Sequence, residues 1–343
     1  MAFSNAAIKR MIVSLFLLAV LPASPGLPQD KPAQDKPAQD KPAEDAPPSI
    51  SVNVSLVNIL ASVHDKHGGL IGNLNKDDFT VLEDGKQQEI KYFTRETDLP
   101  LTIGLLIDVS ASQRNLLDIE KHAAHQFFAQ VLRKKDEAFL ISFGEDSELL
   151  QDYTSSPKLL QAGLSQLQVN SGAGGFGPGP VPTISQPRGT VLYDAVYLAA
   201  NEKLRAEVGR KVIVLITDGI DEGSKLKIEE AIEASQKSDV VIYSIDYADP
   251  SAYGRFSFGV SDFALQKMSG ETGGRVFKVD RKRTLDDCFK ELQDEMRSQY
   301  SIAYTSTNPD QDGTFRKLIV KVADKNLKVQ VRKGYYAIKP EKS

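Results

Sequence analysis

The stretch Leu101 to Ser112, LTIGLLIDVSAS, constrains the fold more than any other part of the chain. A near-continuous apolar run stops at Asp108, and Ser110 and Ser112 follow at alternate positions. A strand this uniformly apolar has no face to offer to water, so helices must cover it on both sides. That is the pattern of a buried parallel strand in a layered α/β domain, where ligands gather beyond the carboxyl ends of the strands. One carboxylate and two hydroxyls, spaced two apart, can turn toward a single point outside the strand tip and offer oxygen to a hard cation. Three such groups are too few to hold a cation alone.

Two later segments supply the remainder. Lys211 to Asp218, KVIVLITD, reads as a second buried strand ending in a carboxylate, with Gly219 after it, and Arg188 to Ala195, RGTVLYDA, places Thr190 at the start of a predicted helix. Asp108, Ser110, Ser112, Thr190 and Asp218 thus give five oxygen ligands from three loops. In this ordered set the chain resembles the von Willebrand factor type A domain, whose metal-ion-dependent adhesion site reads DxSxS, then Thr, then an Asp after a later strand. All five positions match in order. The resemblance implies a doubly wound, mostly parallel sheet and a bound Mg²⁺, or Mn²⁺ or Ca²⁺, held partly through water. It also implies an open position for the Asp or Glu carboxylate of a protein partner, and a closing helix, Thr284 to Gln299, that shifts when the partner arrives.

The rest of the chain is organised around this domain. At 343 residues it has room for about two domains of roughly 150 residues each. Met1 to Gly26 reads as an export signal, with Lys9 and Arg10 before the apolar run Met11 to Leu21 and small residues after it. That run is too short to span a bilayer comfortably, so a periplasmic, cell-surface or secreted protein with no membrane span after cleavage is expected. Residues 27–48 repeat DKPAQ with small changes; regular Pro and the lack of apolar residues predict an extended, solvated linker. Residues 49–98 and 300–338 carry short alternating strands on either side of the α/β rhythm of 99–299. Neither flank alone can bury a useful core. The two are expected to pair with each other as a small β-sandwich into which the α/β domain is inserted, an arrangement resembling the hybrid domain of integrin β chains and exported bacterial proteins related to the type A family.

Other features point to structure rather than chemistry. The net charge of -4 offers no general attraction to nucleic acid or to an anionic membrane. Cys288 is the only cysteine, so no internal disulfide can form, and its spacing with Leu285, Phe289, Leu292 and Met296 predicts a buried thiol on an apolar helix face. His64 and His67 read as turn residues. His122 and His125 sit three apart near the edge of a helix whose stripe is Leu116, Ile119, Ala123, Phe127 and Val131, without the HExxH pattern of a metal helix. Asn308 to Phe315, NPDQDGTF, has Ile319 where a calcium loop needs Glu, and is read as a polar turn. The Gly- and Pro-rich segment 170–187 leads directly into Thr190 and is expected to border the metal and set specificity.

These observations predict a cation-dependent protein-binding or adhesion module with no catalytic residue. Nothing in the sequence assigns an oligomeric state. The alternative is a Mg²⁺-dependent phosphoryl-transfer or hydrolytic enzyme, since Asp at a strand tip can serve as a nucleophile. DVSAS departs from the DxDx pattern of such enzymes, and no acid or base His or Lys stands nearby. A dinucleotide-binding fold lacks its GxGxxG after the first strand. A purely structural envelope protein with a decayed site conflicts with the intact ligand set.

Overall fold

The computed structural model describes residues 56–95, 99–169, 189–248 and 258–338. The expected export signal, the repetitive linker and the Gly- and Pro-rich loop lie outside the described residues. The chain is described first as a strand, β1 (Leu56–His64), then β2 (Phe79–Glu83), β3 (Lys86–Gln88) and β4 (Ile90–Arg95). Alternation follows: β5 (Leu101–Asp108), α1 (Leu117–Val131), β6 (Glu137–Phe143), β7 (Ser147–Thr154), α2 (Pro157–Leu164) and α3 (Leu192–Leu198), which runs on as a π-helical stretch over Ala199–Leu204. It continues with β8 (Arg210–Thr217), α4 (Ile228–Lys237), β9 (Val240–Asp246), α5 (Phe258–Thr272), β10 (Val276–Lys278) and α6 (Leu285–Arg297). The chain then returns to strands: β11 (Tyr300–Thr305), β12 (Phe315–Val322), β13 (Lys328–Gln330) and β14 (Gly334–Tyr336).

Six strands form the central sheet in the order β10-β9-β8-β5-β6-β7, all parallel but for the edge strand β7, which runs antiparallel to β6. Every residue of β5, β8 and β9 is buried, as their apolar runs require. On one face Ile103, Leu105 and Ile107 pack against α1, α2 and α6; on the other, Leu106, Ile213 and Leu215 pack against α3, α4 and α5. The fold is the doubly wound, mostly parallel α/β class expected. Among the described residues no helix is long and apolar enough to cross a membrane.

The flanking strands build two further sheets, β13-β1-β11-β4 and β14-β12-β2-β3, each combining strands from both ends of the chain. They share one core that includes Ile59, Val81, Ile302 and Leu318. The β2–β3 hairpin turns on Asp84 and Gly85, both at positive φ (48° and 82°), as a two-residue loop matched to strand twist demands. Phe79, Phe93 and Tyr300 cluster with ring centroids 5.1 to 5.7 Å apart, and Tyr300 Oη donates to the Ile71 carbonyl at 2.7 Å.

Two local expectations are corrected. Of the expected α1 stripe, Leu116, Ala123, Phe127 and Val131 are buried and Ile119 is not, at 51% exposed; Leu117, Glu120, Ala124 and Phe128 complete the inward face. His64 is not a turn residue: it ends β1, buried, with Nε2 3.5 Å from Glu295 of α6. Helix α2 closes at Leu164, after which Ser165 Oγ donates back to the Ala162 carbonyl. The three-residue strand β14 joins its sheet only through β12.

Candidate functional site

The carboxyl ends of β5 and β8 lie side by side in register, Ile107 opposite Ile216, and this brings Asp108 and Asp218 together although they are far apart in sequence. Past Asp108 the backbone turns sharply: the Ser110 amide donates to Asp108 Oδ1 at 2.8 Å and the Gln113 amide to the Ser110 carbonyl at 3.0 Å. This short turn leaves the Ser110 and Ser112 hydroxyls facing each other at 2.9 Å. Ser112 Oγ then donates to Asp218 Oδ2 at 2.7 Å, so a chain of oxygens runs from the loop after Asp108 to the acid at the tip of β8.

Thr190 is positioned by backbone. Its carbonyl accepts from the amides of Glu222 and Gly223 at 3.1 Å each, and the next amide, Val191, donates to the Gly144 carbonyl beyond β6 at 2.9 Å. Two glycines allow this approach: a Cβ on Gly189 would meet Glu222 Cβ at 2.2 Å, and one on Gly223 would meet the Gly189 carbonyl oxygen at 2.3 Å. Thr190 is thereby fixed beside the loop that follows Asp218. No side-chain hydrogen bond joins it to the other four among the described residues.

Three further residues, missed from the sequence, shape the site. Thr217 Oγ1 donates to Asp108 Oδ2 at 2.7 Å and accepts from the Gly219 amide at 3.0 Å. Gln113, fully buried, donates from Nε2 to Asp218 Oδ2 at 3.1 Å, and the Ile220 amide donates to Asp218 Oδ1 at 3.1 Å. Glu120 is fully buried one turn into α1. Only Thr217 carried a sequence signal, its place beside Asp218 at a strand tip.

Electrostatics at the site are unfavourable to the acids. Burial first, and then the charge of Asp218, push Asp108 from its ordinary 3.8 up to about 7, against the pull of Thr217 and Ser110. Burial first, and then Asp108 and Asp218, push Glu120 well above the usual carboxylate range. A positive ion among these oxygens would relieve that repulsion, and an all-oxygen set of two carboxylates and three hydroxyls suits a hard cation. Among the described residues no three His, Cys, Asp or Glu side chains stand at metal-holding spacing, as expected of a set rich in hydroxyls. A cleft of about 740 Å³, lined by residues that include Asn201, Arg205, Tyr335 and Tyr336, contains none of the five.

Two models of the von Willebrand factor type A domain match the chain, one over residues 103–220 and the other over 183–291. The chain belongs to the von Willebrand factor type A family. The Asp108–Ser112 turn falls in the first matched range and Thr190 and Asp218 in both. A curated relative of the type A chain, an uncharacterized protein of Borreliella burgdorferi, is 21% identical over 184 residues, which cover 50% of this chain and 49% of that protein. The chain therefore spans about half the length of the curated relative it matches. Among solved structures, BatB of Bacteroides thetaiotaomicron aligns with TM-score 0.43 and 16% identity over 57% of this chain and 97% of that one. The vWF domain of the type V pili tip protein Mfa5 of Porphyromonas gingivalis aligns with TM-score 0.43 and 11% identity, covering 58% and 95%. Proximal thread matrix protein 1 of the mussel byssus, with a zinc-occupied MIDAS motif, gives TM-score 0.43 and 14% identity, covering 63% and 50%.

Proposed function

We propose that this type A domain is a divalent-cation-dependent protein-binding module. In this reading Asp108, Ser110, Ser112, Thr190 and Asp218 hold Mg²⁺, or Mn²⁺ or Ca²⁺ in its place, and an Asp or Glu of a partner protein completes the coordination. The observation that carries it is the hydrogen-bonded chain Ser110–Ser112–Asp218, which brings two hydroxyls from the loop after β5 onto the acid at the tip of β8. A cation bound there supplies positive charge and an exchangeable position. Two carboxylates balance its formal charge, so an approaching acid meets an ion that has not been over-neutralised by the protein.

The acids are engaged in positioning rather than poised for attack. Asp108 accepts from Ser110 and Thr217, and Asp218 from Ser112, Gln113 and Ile220, which supports a binding role over a nucleophilic one. The leader pattern of Met1 to Gly26 supports an exported protein that meets its partner in the envelope or outside the cell.

The test is a pull-down from envelope and extracellular material with Mg²⁺ or with chelator, using wild type and Asp108→Ala. Recovery of a partner that requires both the cation and Asp108 is expected. Equal recovery in all four arms would overturn the reading, and cation-dependent turnover of an aryl phosphate by wild type alone would replace it with the phosphoryl-transfer alternative.

A further inference from the structure

The five-residue set leaves a group of buried acceptors unexplained. Glu120 is fully buried on the core-facing stripe of α1, and neither of its carboxyl oxygens has a hydrogen-bond partner among the described residues. Gln113, also fully buried, spends its Nε2 on Asp218, while its Oε1 has no partner either. Both residues belong to the segment that leaves the tip of β5: the Leu116 amide donates to the Gln113 carbonyl at 2.9 Å and the Glu120 amide to the Leu116 carbonyl at 3.0 Å, so Glu120 follows Gln113 directly into α1, and the charges of Asp108 and Asp218 help to raise its pKa. Three buried oxygens without partners, one of them on a side chain hydrogen-bonded to Asp218, are costly, because each forgoes the hydrogen bonds water would give it. A nearby apolar core explains none of them.

Their chemistry is complementary to one kind of ligand. Mg²⁺ dehydrates reluctantly and keeps several waters, whose O–H groups are polarised by the ion and need acceptors. We propose that Glu120 and Gln113 form an outer wall of the cation site, accepting hydrogen bonds from waters of the bound cation's hydration shell. This rests on the reading of Asp108, Ser110, Ser112, Thr190 and Asp218 as a cation site and adds two residues to it. Glu120 is a positioning residue here: it acts on the ion through water, consistent with its not joining the two aspartates in a three-acid cage. The site then carries a preference among cations. Ca²⁺ takes more ligands directly and has less need of water-held contacts, so the outer wall favours Mg²⁺.

The experiment is calorimetric titration of the full chain with MgCl₂ and with CaCl₂, for wild type, Glu120→Gln and Glu120→Leu, with thermal melts in chelator alongside. Outer-shell partners typically govern metal affinity by about 10- to 100-fold. Glu120→Leu is expected to weaken Mg²⁺ binding by about that factor and Ca²⁺ binding by much less, while melting in chelator no lower than wild type because an unpaired acid has left the core. Glu120→Gln, which keeps shape and one acceptor, is expected to fall between, and it serves alone should Glu120→Leu fail to fold. Unchanged Mg²⁺ affinity in the variants, or equal losses for both cations, would overturn the inference and leave the five-residue site standing. Failure of wild type to bind either cation would overturn the site reading and the inference together.

Discussion

Asp108 is disfavoured as a charge twice over, by burial at a strand tip and by Asp218 beside it, and its two oxygens are held by Ser110 and by Thr217. Thr217 is therefore as much a part of the site as the residues the motif names. Thr217→Val keeps the shape and removes the hydroxyl from Asp108 and from the Gly219 amide; it should destabilise the cation-free protein by about 1–3 kcal/mol in denaturant titrations. Gly189 meets Glu222 so closely that Gly189→Ala must displace the loop carrying Thr190. A loss of about 1–3 kcal/mol and a weakened Mg²⁺ response are expected, and an unchanged response would show that Thr190 does not serve the cation. Asp108, Ser110, Ser112, Thr190 and Asp218 were legible because their types and order are themselves the signal. Glu120 was not, because an acid in a helix reads as solvent-facing until the packing of α1 says which way it turns.

Among the elements, α6 bears most on coupling. It packs on α1 with Phe289 stacked on Phe127 at 4.6 Å between centroids, and it is capped by Thr284 Oγ1, which accepts from the Asp287 amide. Its far end is clamped: Arg297 pairs with buried Asp136 at 2.7 Å and also donates to the Val131 carbonyl at the end of α1. Asp136 in turn accepts from the Leu101 amide at the start of β5. Any sliding of α6 must break this clamp. Arg297→Ala, which leaves Asp136 buried without its cation, should cost about 3 kcal/mol by denaturant unfolding. A cost near zero would mean that the clamp contributes nothing. The cap and apolar face of α6, Cys288 included, could be read from spacing; the clamp could not, since Asp136, Val131 and Arg297 belong to no common motif.

At the scale of the molecule, the two ends of the chain are locked together through Glu83. It accepts from Tyr304 Oη at 2.6 Å, from Ser306 Oγ and from Tyr335 Oη at 2.9 Å, and stands 3.4 Å from Arg316. Burial pushes its pKa up, but the hydrogen bonds from Ser306, Tyr304 and Tyr335 and the charge of Arg316 outweigh it, and the result lies below the ordinary 4.5. Folding therefore favours the ionised form. That stabilisation is present above the unfolded value of 4.5 and is lost as pH falls through the lower folded value. Glu83→Gln should melt below wild type at neutral pH, with the gap narrowing on acidification past that range; a constant gap would refute the assignment. Because α6 runs into β11 at Tyr300, cation and partner should also alter the angle between the α/β layers and the flanking sheets. Small-angle scattering that is identical in chelator and in Mg²⁺ with bound partner would argue against such coupling.

The sequence by itself determined the α/β class and the strand tips, because uninterrupted apolar runs force burial on both faces; the order of Asp108, Ser110, Ser112, Thr190 and Asp218 marked five candidate ligands through the family resemblance. Tertiary structure alone decided which of those oxygens touch, that Thr190 is held by its carbonyl, and that Glu120 turns inward with no partner. Those outcomes depend on register between strands and on the rotation of a helix against a sheet. Both are fixed by the packing of residues distant in sequence, which no local pattern encodes.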